Sequence, residues 1–209
     1  MNVTVSTTPS AARRPRRSSA ETREHVLDVT HELFYWEGIH ATGIDRVAQA
    51  AEVGPTTLYR LFANKDELIA AYVERNSQGY RQALAEATDV AAGTPRERLM
   101  ALFDTIAEQV QPENCRGCPF LMALAEFPDP AHPAHVIAVS TKAWVRERLH
   151  DLADALADAE GVDDPALLAD QLALVVEGVY ASVQALSVTG PAAHARETAQ
   201  VLIDAATAR

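Results

Sequence analysis

Apolar positions along this chain recur at intervals of three and four, and no stretch alternates with the period of two that a half-buried strand requires, so the residues predict an all-α protein. Val26, Leu27, Thr30, Leu33 and Phe34 mark a first amphipathic helix, opened by the capping-box spacing of Ser18 and Glu21 and closed by Gly38. Ile44, Val47, Ala48 and Ala51 mark a second, of about two turns. Glu52-Val53-Gly54 interrupts it. Pro55 has no amide proton to leave unpaired and a φ already near the helical value, so it opens a third helix with Gly54 as cap and with Leu58, Leu61 and Phe62 turned inward. Trp36, a large aromatic, is expected to close the core of this three-helix unit. Asn64-Lys65-Asp66-Glu67 repeats the capping-box spacing and starts a long helix to about Ala87.

After Gly93 the pattern is a series of helices punctuated by proline. Thr94-Pro95-Arg96-Glu97 caps one that carries Leu99, Met100, Leu102, Phe103 and Ile106 and must end before Pro112. Pro119 opens a short one through Phe127, Pro133 a longer one closing at Gly161, Asp164-Pro165 another to about Thr189, and Gly190-Pro191 the last. The helix from Pro165 is apolar on more than one face, with Leu168, Leu172, Val175, Val176, Val179, Val183 and Leu186. It therefore lies either in the middle of its domain or against a partner. The reading is a basic arm over residues 1–17, a three-helix domain over 18–63 and a helical bundle over 64–209, about nine helices in total.

Within this frame, the stretch from Thr42 to Lys65 is helix, tight turn, helix. The second of these helices keeps Thr56, Thr57, Tyr59 and Arg60 on its outer face, and their hydroxyls, phenol and guanidinium can all bond phosphates or base edges. That is the helix-turn-helix pattern, although spacing alone also fits any small helical hairpin. The residue identities go further. Gly38, Thr42, Ile44, Val47-Ala48, Ala51, Val53, Thr57-Leu58-Tyr59, Phe62, Lys65 and Leu68 are similar, in order and without gaps, to the N-terminal signature of the TetR family of bacterial transcriptional regulators. The resemblance spans about residues 19 to 70, a third of the chain. Gly43 stands where the family usually has serine, Glu52 where it has the turn glycine, Gly54 where it has a serine cap, and Thr56 where it has glycine. These departures touch the turn and the base-reading face, and so bear on the operator sequence more than on the fold.

The resemblance implies a dimeric repressor that binds a palindromic DNA operator and is released by a small-molecule effector. It implies DNA contacts from Thr42, Arg46, Thr56, Thr57, Tyr59, Arg60 and an outward-facing Lys65. Dimerisation would fall to the last two helices, through Val175, Val179 and Val183. The effector pocket would lie in the C-terminal domain, with Phe103, Phe120, Trp144 and Tyr180 as candidate lining residues.

Composition changes this picture in three places. A net charge of -11 over 209 residues argues against nucleic acid until it is divided: residues 1–65 hold eight Lys/Arg and seven Asp/Glu, the remainder ten and twenty-two. Affinity for DNA depends on local cations, so the basic end is the candidate surface. Arg13, Arg14, Arg16 and Arg17 cluster there, either as a solubilising tail or as an arm that follows phosphates. Next, 48% apolar content supplies a core, yet no unbroken apolar run approaches the roughly 18 residues of a membrane span, which points to a cytoplasmic protein without membrane partners. Finally, Cys115-Arg-Gly-Cys118 followed by His132 and His135 approximates a zinc-ligand spacing, but the histidine gap is too short, and packing is the favoured reading over a redox pair or a metal site. No phosphate loop, metalloprotease run or serine elbow is present, so no catalytic residue and no cofactor is assigned. The alternatives kept are a redox- or metal-sensing regulator acting through Cys115 and Cys118, and a helical adaptor that binds no DNA.

Overall fold

The computed structural model describes residues 17–90, 93–111, 113 and 115–208. The arm proposed for residues 1–17 thus falls almost wholly outside the described residues. Among these residues there are nine α-helices, one short 3-10 turn and no strand. They are α1 (Ser19–Glu37), α2 (Ile44–Ala50), α3 (Pro55–Leu61), α4 (Lys65–Val90), α5 (Pro95–Gln109), α6 (Pro119–Glu126), α7 (Pro133–Glu160), α8 (Pro165–Leu186) and α9 (Ala195–Thr207), with the 3-10 turn at Pro191–His194.

Proline begins five of the nine helices, at a position where the missing amide proton costs nothing. The capping boxes at Ser18/Glu21 and Thr94/Glu97 form in both directions. At α4 the box is offset: Asn64 accepts from the Glu67 amide at 2.8 Å, but Glu67 reaches back one residue further, to the amide of Ala63 at 2.7 Å. Gly38 and Gly161 end their helices at φ 104° and 79°, backbone that a side chain would strain.

The first three helices close on Val26, Leu27, Phe34, Val47, Leu58 and Phe62. α4 belongs to both halves, packing on α1 at its start and then on α5, α6 and α7. α7 and α8 form the largest helix contact, and α9 covers α5 and α8. α8 is long and apolar enough, by length and composition, to cross a membrane. Here it is a core helix: Leu168, Leu172, Val176, Val179, Tyr180 and Val183 are buried inside the chain.

Several expectations are corrected. Trp36 is 40% exposed, edge-on to Tyr35 at 5.2 Å; one residue of helix is about 100° of rotation, and Phe34 and Tyr35 occupy the inward directions. Val179 and Val183 face this chain's own core rather than an outer seam, and Val175 is only partly exposed. The outward face of α8 instead carries Leu167, Leu174, Gly178, Ala181, Ala185 and Leu186. Phe103 is wholly core, and Trp144 is half-buried beneath the Arg81 guanidinium, 5.7 Å from its ring centre.

Candidate nucleic-acid interface and the cavity behind it

α3 is held from below by Leu58 and Phe62, each almost fully buried, so its polar residues have only one direction left. Thr56, Tyr59 and Arg60 are exposed, Tyr59 at 48%, and Thr57 is half-buried at the edge. The turn before α3 is a Schellman motif, in which the Val53 amide donates to the Ala48 carbonyl at 3.0 Å. Glu52 occupies its left-handed position at φ 53°, a conformation that costs a residue with a Cβ about 1–2 kcal/mol. Glu52→Gly is therefore expected to stabilise the protein by about 1 kcal/mol, seen as a higher denaturant midpoint at an unchanged m-value.

Three of the predicted contact residues have internal duties. Thr42 is buried, its hydroxyl donating to the Gly38 carbonyl at 2.9 Å, and so ties the loop after α1 instead of reaching outward. Lys65 is half-buried and does not point out: its ammonium donates to the Ile39 carbonyl at 2.8 Å and lies 6.0 Å from the Phe34 ring centre. An ammonium with a carbonyl and an aromatic face within reach is better satisfied there than the position of Lys65 in the pattern suggested. Arg46 is exposed but paired with Glu37 at 2.6 Å. The structure thus brings Thr56, Tyr59 and Arg60 together on one face and leaves Thr42 and Lys65 beneath it.

The same α1–α2 loop is gripped from the other half of the molecule. Glu126, at the end of α6, accepts from the amides of Ile39 at 3.0 Å and His40 at 2.6 Å, and the His40 ring donates to the Glu126 carbonyl at 2.9 Å. A charged acceptor shared by two backbone donors is among the stronger protein hydrogen-bond arrangements. A second tie joins α1 to the start of α6: the Tyr35 hydroxyl donates to the Gly117 carbonyl and accepts from the Arg116 amide, both at 2.8 Å, while the Arg116 guanidinium bonds the Trp36 carbonyl. α6 is therefore a strut of two turns with one end on the helix-turn-helix unit.

Its other end enters a cavity of about 980 Å³ between α1, α4, α5, α6 and α8. Of the four predicted pocket residues, Phe120 and Tyr180 line it; Phe103 and Trp144 do not. The wall also holds Tyr35 and His31 from α1, Tyr72, Asn76 and Tyr80 from α4, and Gln109 from α5. The tyrosines pack against neighbours at ring distances of 5.7 Å (Tyr80 to Phe120) and 6.2 Å (Tyr80 to Tyr180), and the Tyr180 hydroxyl donates to Gln109 at 3.2 Å. Burial raises the phenols of Tyr35, Tyr72, Tyr80 and Tyr180 above the ordinary tyrosine range, so all four are neutral hydrogen-bonding groups. Sequence reading passed over Tyr72, Asn76 and Tyr80, which recur at intervals of four along one face of α4; that polar-tipped stripe on an otherwise apolar face was the available signal.

Cys115 and Cys118 also line the cavity, both reduced and buried. Cys118 is the N-cap of α6 without a side-chain cap bond. A helix N-terminus should favour its thiolate, but burial outweighs it and pushes the thiol up, with Lys142 and the amides of Phe120 and Leu121 pulling only partly back. The nearby histidines are occupied as well: His132 caps α7 and stacks on Phe127 at 4.3 Å, and His135 bonds the Phe127 carbonyl at 2.9 Å. Among the described residues, no group of three or more His, Cys, Asp or Glu side chains is placed to hold a metal ion.

Comparison with known proteins agrees with this geometry. Residues 26–72 match the family described as bacterial regulatory proteins, tetR family, and residues 95–199 match the tetracyclin repressor-like C-terminal domain. The chain is 31% identical over 160 residues to the HTH-type transcriptional regulator YjdC of Escherichia coli (strain K12), covering 75% of this chain and 80% of that protein. It is 28% identical over 115 residues to the HTH-type transcriptional repressor NemR of the same strain, covering 54% of this chain and 58% of that one. In three dimensions it is similar to SCO4454, a TetR-family transcriptional regulator from Streptomyces coelicolor, with a TM-score of 0.83 and 28% identity over 90% of this chain and 97% of that one.

Proposed function

This chain belongs to the TetR family of helix-turn-helix transcriptional regulators, and from that premise we propose that it is a repressor that binds a palindromic operator as a homodimer and leaves it when a small molecule fills the cavity. One observation carries the reading: α1, which supports the exposed face of α3, is also a wall of the cavity. A ligand there touches the DNA-binding unit directly through Tyr35 and His31, and indirectly through α6, whose far end holds the Ile39 and His40 amides by Glu126. The ligand has to bind one arrangement of this strut better than the other, since equal affinity for both shifts nothing. A relative named as a repressor supports the sign of regulation. For the dimer, the support is the outward face of α8, where Leu174 and the small residues Gly178, Ala181 and Ala185 let a second α8 approach closely, and the exposed Val201 on α9, which packs on α8.

Titration of the full chain against DNA upstream of its own gene, followed by footprinting, tests this. The expected footprint has two half-sites related by a two-fold axis and separated by about one helical turn or a multiple of it. Absence of binding at micromolar protein, or a single asymmetric half-site, would overturn the reading.

A further inference from the structure

The charged groups around the cavity are sorted by sign and by depth. Its exposed lining residues, which mark the mouth, are Asp28 and Glu32 on α1, Gly79 on α4 and Glu108 on α5. Three of the four are carboxylates, and the fourth has no side chain. Arg75 is the sole Lys or Arg on the wall: it bonds Asp28 and lies 3.7 Å from Glu24, which offset its charge, while its Nη1, like Asn76 Nδ2, is buried without a hydrogen-bond partner among the described residues. Glu32 and Glu108 have no cationic partner among the described residues. Deeper in, the polar side chains are the tyrosine hydroxyls, Asn76, Gln109, Thr105 and the His25 and His31 rings, with no carboxylate among them, and the broad surfaces are aromatic faces.

We propose that the effector is an organic cation with a flat apolar body, the body lying on the faces of Tyr72, Tyr80, Phe120 and Tyr180 and the positive charge lying toward the Glu32 and Glu108 mouth. The proposal rests on reading the cavity as the effector site and adds the ligand's class to it. Electrostatics selects against the alternative. An anion entering would pass three carboxylates to reach a single guanidinium already offset by Asp28 and Glu24, whereas a cation finds two unpaired carboxylates at the entrance and electron-rich ring faces within. The volume of about 980 Å³ is large enough for a multi-ring ligand, and the small-molecule range is a few hundred to about a thousand Å³. Gly79 is the exposed lining position on α4, and a Cβ built there meets nothing within 4 Å, so a side chain can be added at the entrance without disturbing the helix.

The test uses three fluorescent probes of similar size on the full chain without DNA: acriflavine as cation, phenylnaphthylamine as neutral body and anilinonaphthalene sulfonate as anion. Acriflavine is expected to bind about tenfold or more tighter than the sulfonate at low salt, with the preference shrinking as salt rises. The Glu32→Gln, Glu108→Gln double variant should lose about tenfold in acriflavine affinity and leave phenylnaphthylamine unchanged. Gly79→Trp should weaken every probe that enters. If the sulfonate binds as tightly as acriflavine, or the double variant does not discriminate, the cation assignment is wrong while the cavity stands as a ligand site. If no probe binds, or binding ignores Gly79→Trp, the cavity reading falls together with it.

Discussion

Arginine at Leu174 should give a folded monomer with weakened operator binding, whereas arginine at Val179 should give no stable fold at all. The two residues lie five apart on α8, yet their surroundings are opposite. Leu174 is 72% exposed and Val179 3%. In the isolated chain an arginine at position 174 projects into water and costs almost nothing. In the proposed dimer it would be buried in a seam of Leu174, Gly178, Ala181 and Ala185, where a charge has no partner and the small residues leave it no room. At position 179 the same side chain would have to enter the buried core, and an unpaired buried charge costs several kcal/mol or more, against a total stability of about 5–15 kcal/mol. Sedimentation velocity and thermal melts followed by circular dichroism separate the outcomes. A Leu174→Arg protein that stays dimeric would place the interface off the outer face of α8, and a folded Val179→Arg protein would contradict the burial described above.

The second large effect lies on α3. Arg60→Ala is expected to reduce affinity for the preferred operator by about 1–3 kcal/mol, roughly five- to 150-fold, with the melting temperature unchanged. Arg60 is exposed, and no carboxylate pairs with it among the described residues, so its removal leaves nothing unsatisfied inside the protein. Lys65→Ala should behave differently. Its ammonium holds the Ile39 carbonyl, on the same loop whose amides Glu126 grips, so the variant should lose about 1–3 kcal/mol of stability along with DNA affinity, and the salt slope of binding should barely move. Anisotropy titrations at several salt concentrations, paired with melts, distinguish a contact residue from a supporting one. A full unit of salt slope lost in Lys65→Ala would restore it to the phosphate-contacting surface.

Much of the architecture was legible without coordinates because its signals are local. Prolines at first helical positions, capping boxes and helix-ending glycines each act within one turn of chain, and they placed the helix starts at Pro55, Pro95, Pro119, Pro133 and Pro165. The inward and outward faces of α3 were equally readable, since a two-turn helix with Leu58 and Phe62 on one side has only one other side for Tyr59 and Arg60. Errors arose where a residue had more than one way to be satisfied. Lys65 and Thr42 were read by their place in a pattern, and other partners decided otherwise: the carbonyl of Ile39, 26 residues away, for Lys65, and the carbonyl of Gly38, one turn back, for Thr42.

The sequence by itself determined the all-α class, the order of the helices and most of their starts, the family and the polar face of α3, because periodicity, caps and turn residues depend on neighbours within a few positions. It placed less well the ends of α4 and α8, at Val90 and Leu186 rather than about Ala87 and Thr189, and the start of α9, at Ala195 after a 3-10 turn rather than at Pro191. Tertiary structure alone decided which of α8's two apolar faces the chain keeps for itself, since Val179 and Leu174 are equally apolar in one dimension and differ only in what packs on them. It also decided where the cavity lies. Tyr35, Tyr72, Phe120 and Tyr180 come from four helices and share one wall only when α1, α4, α6 and α8 pack. Tyr35 and Gly117, 82 residues apart, show the same thing in a single hydrogen bond, which no local pattern encodes.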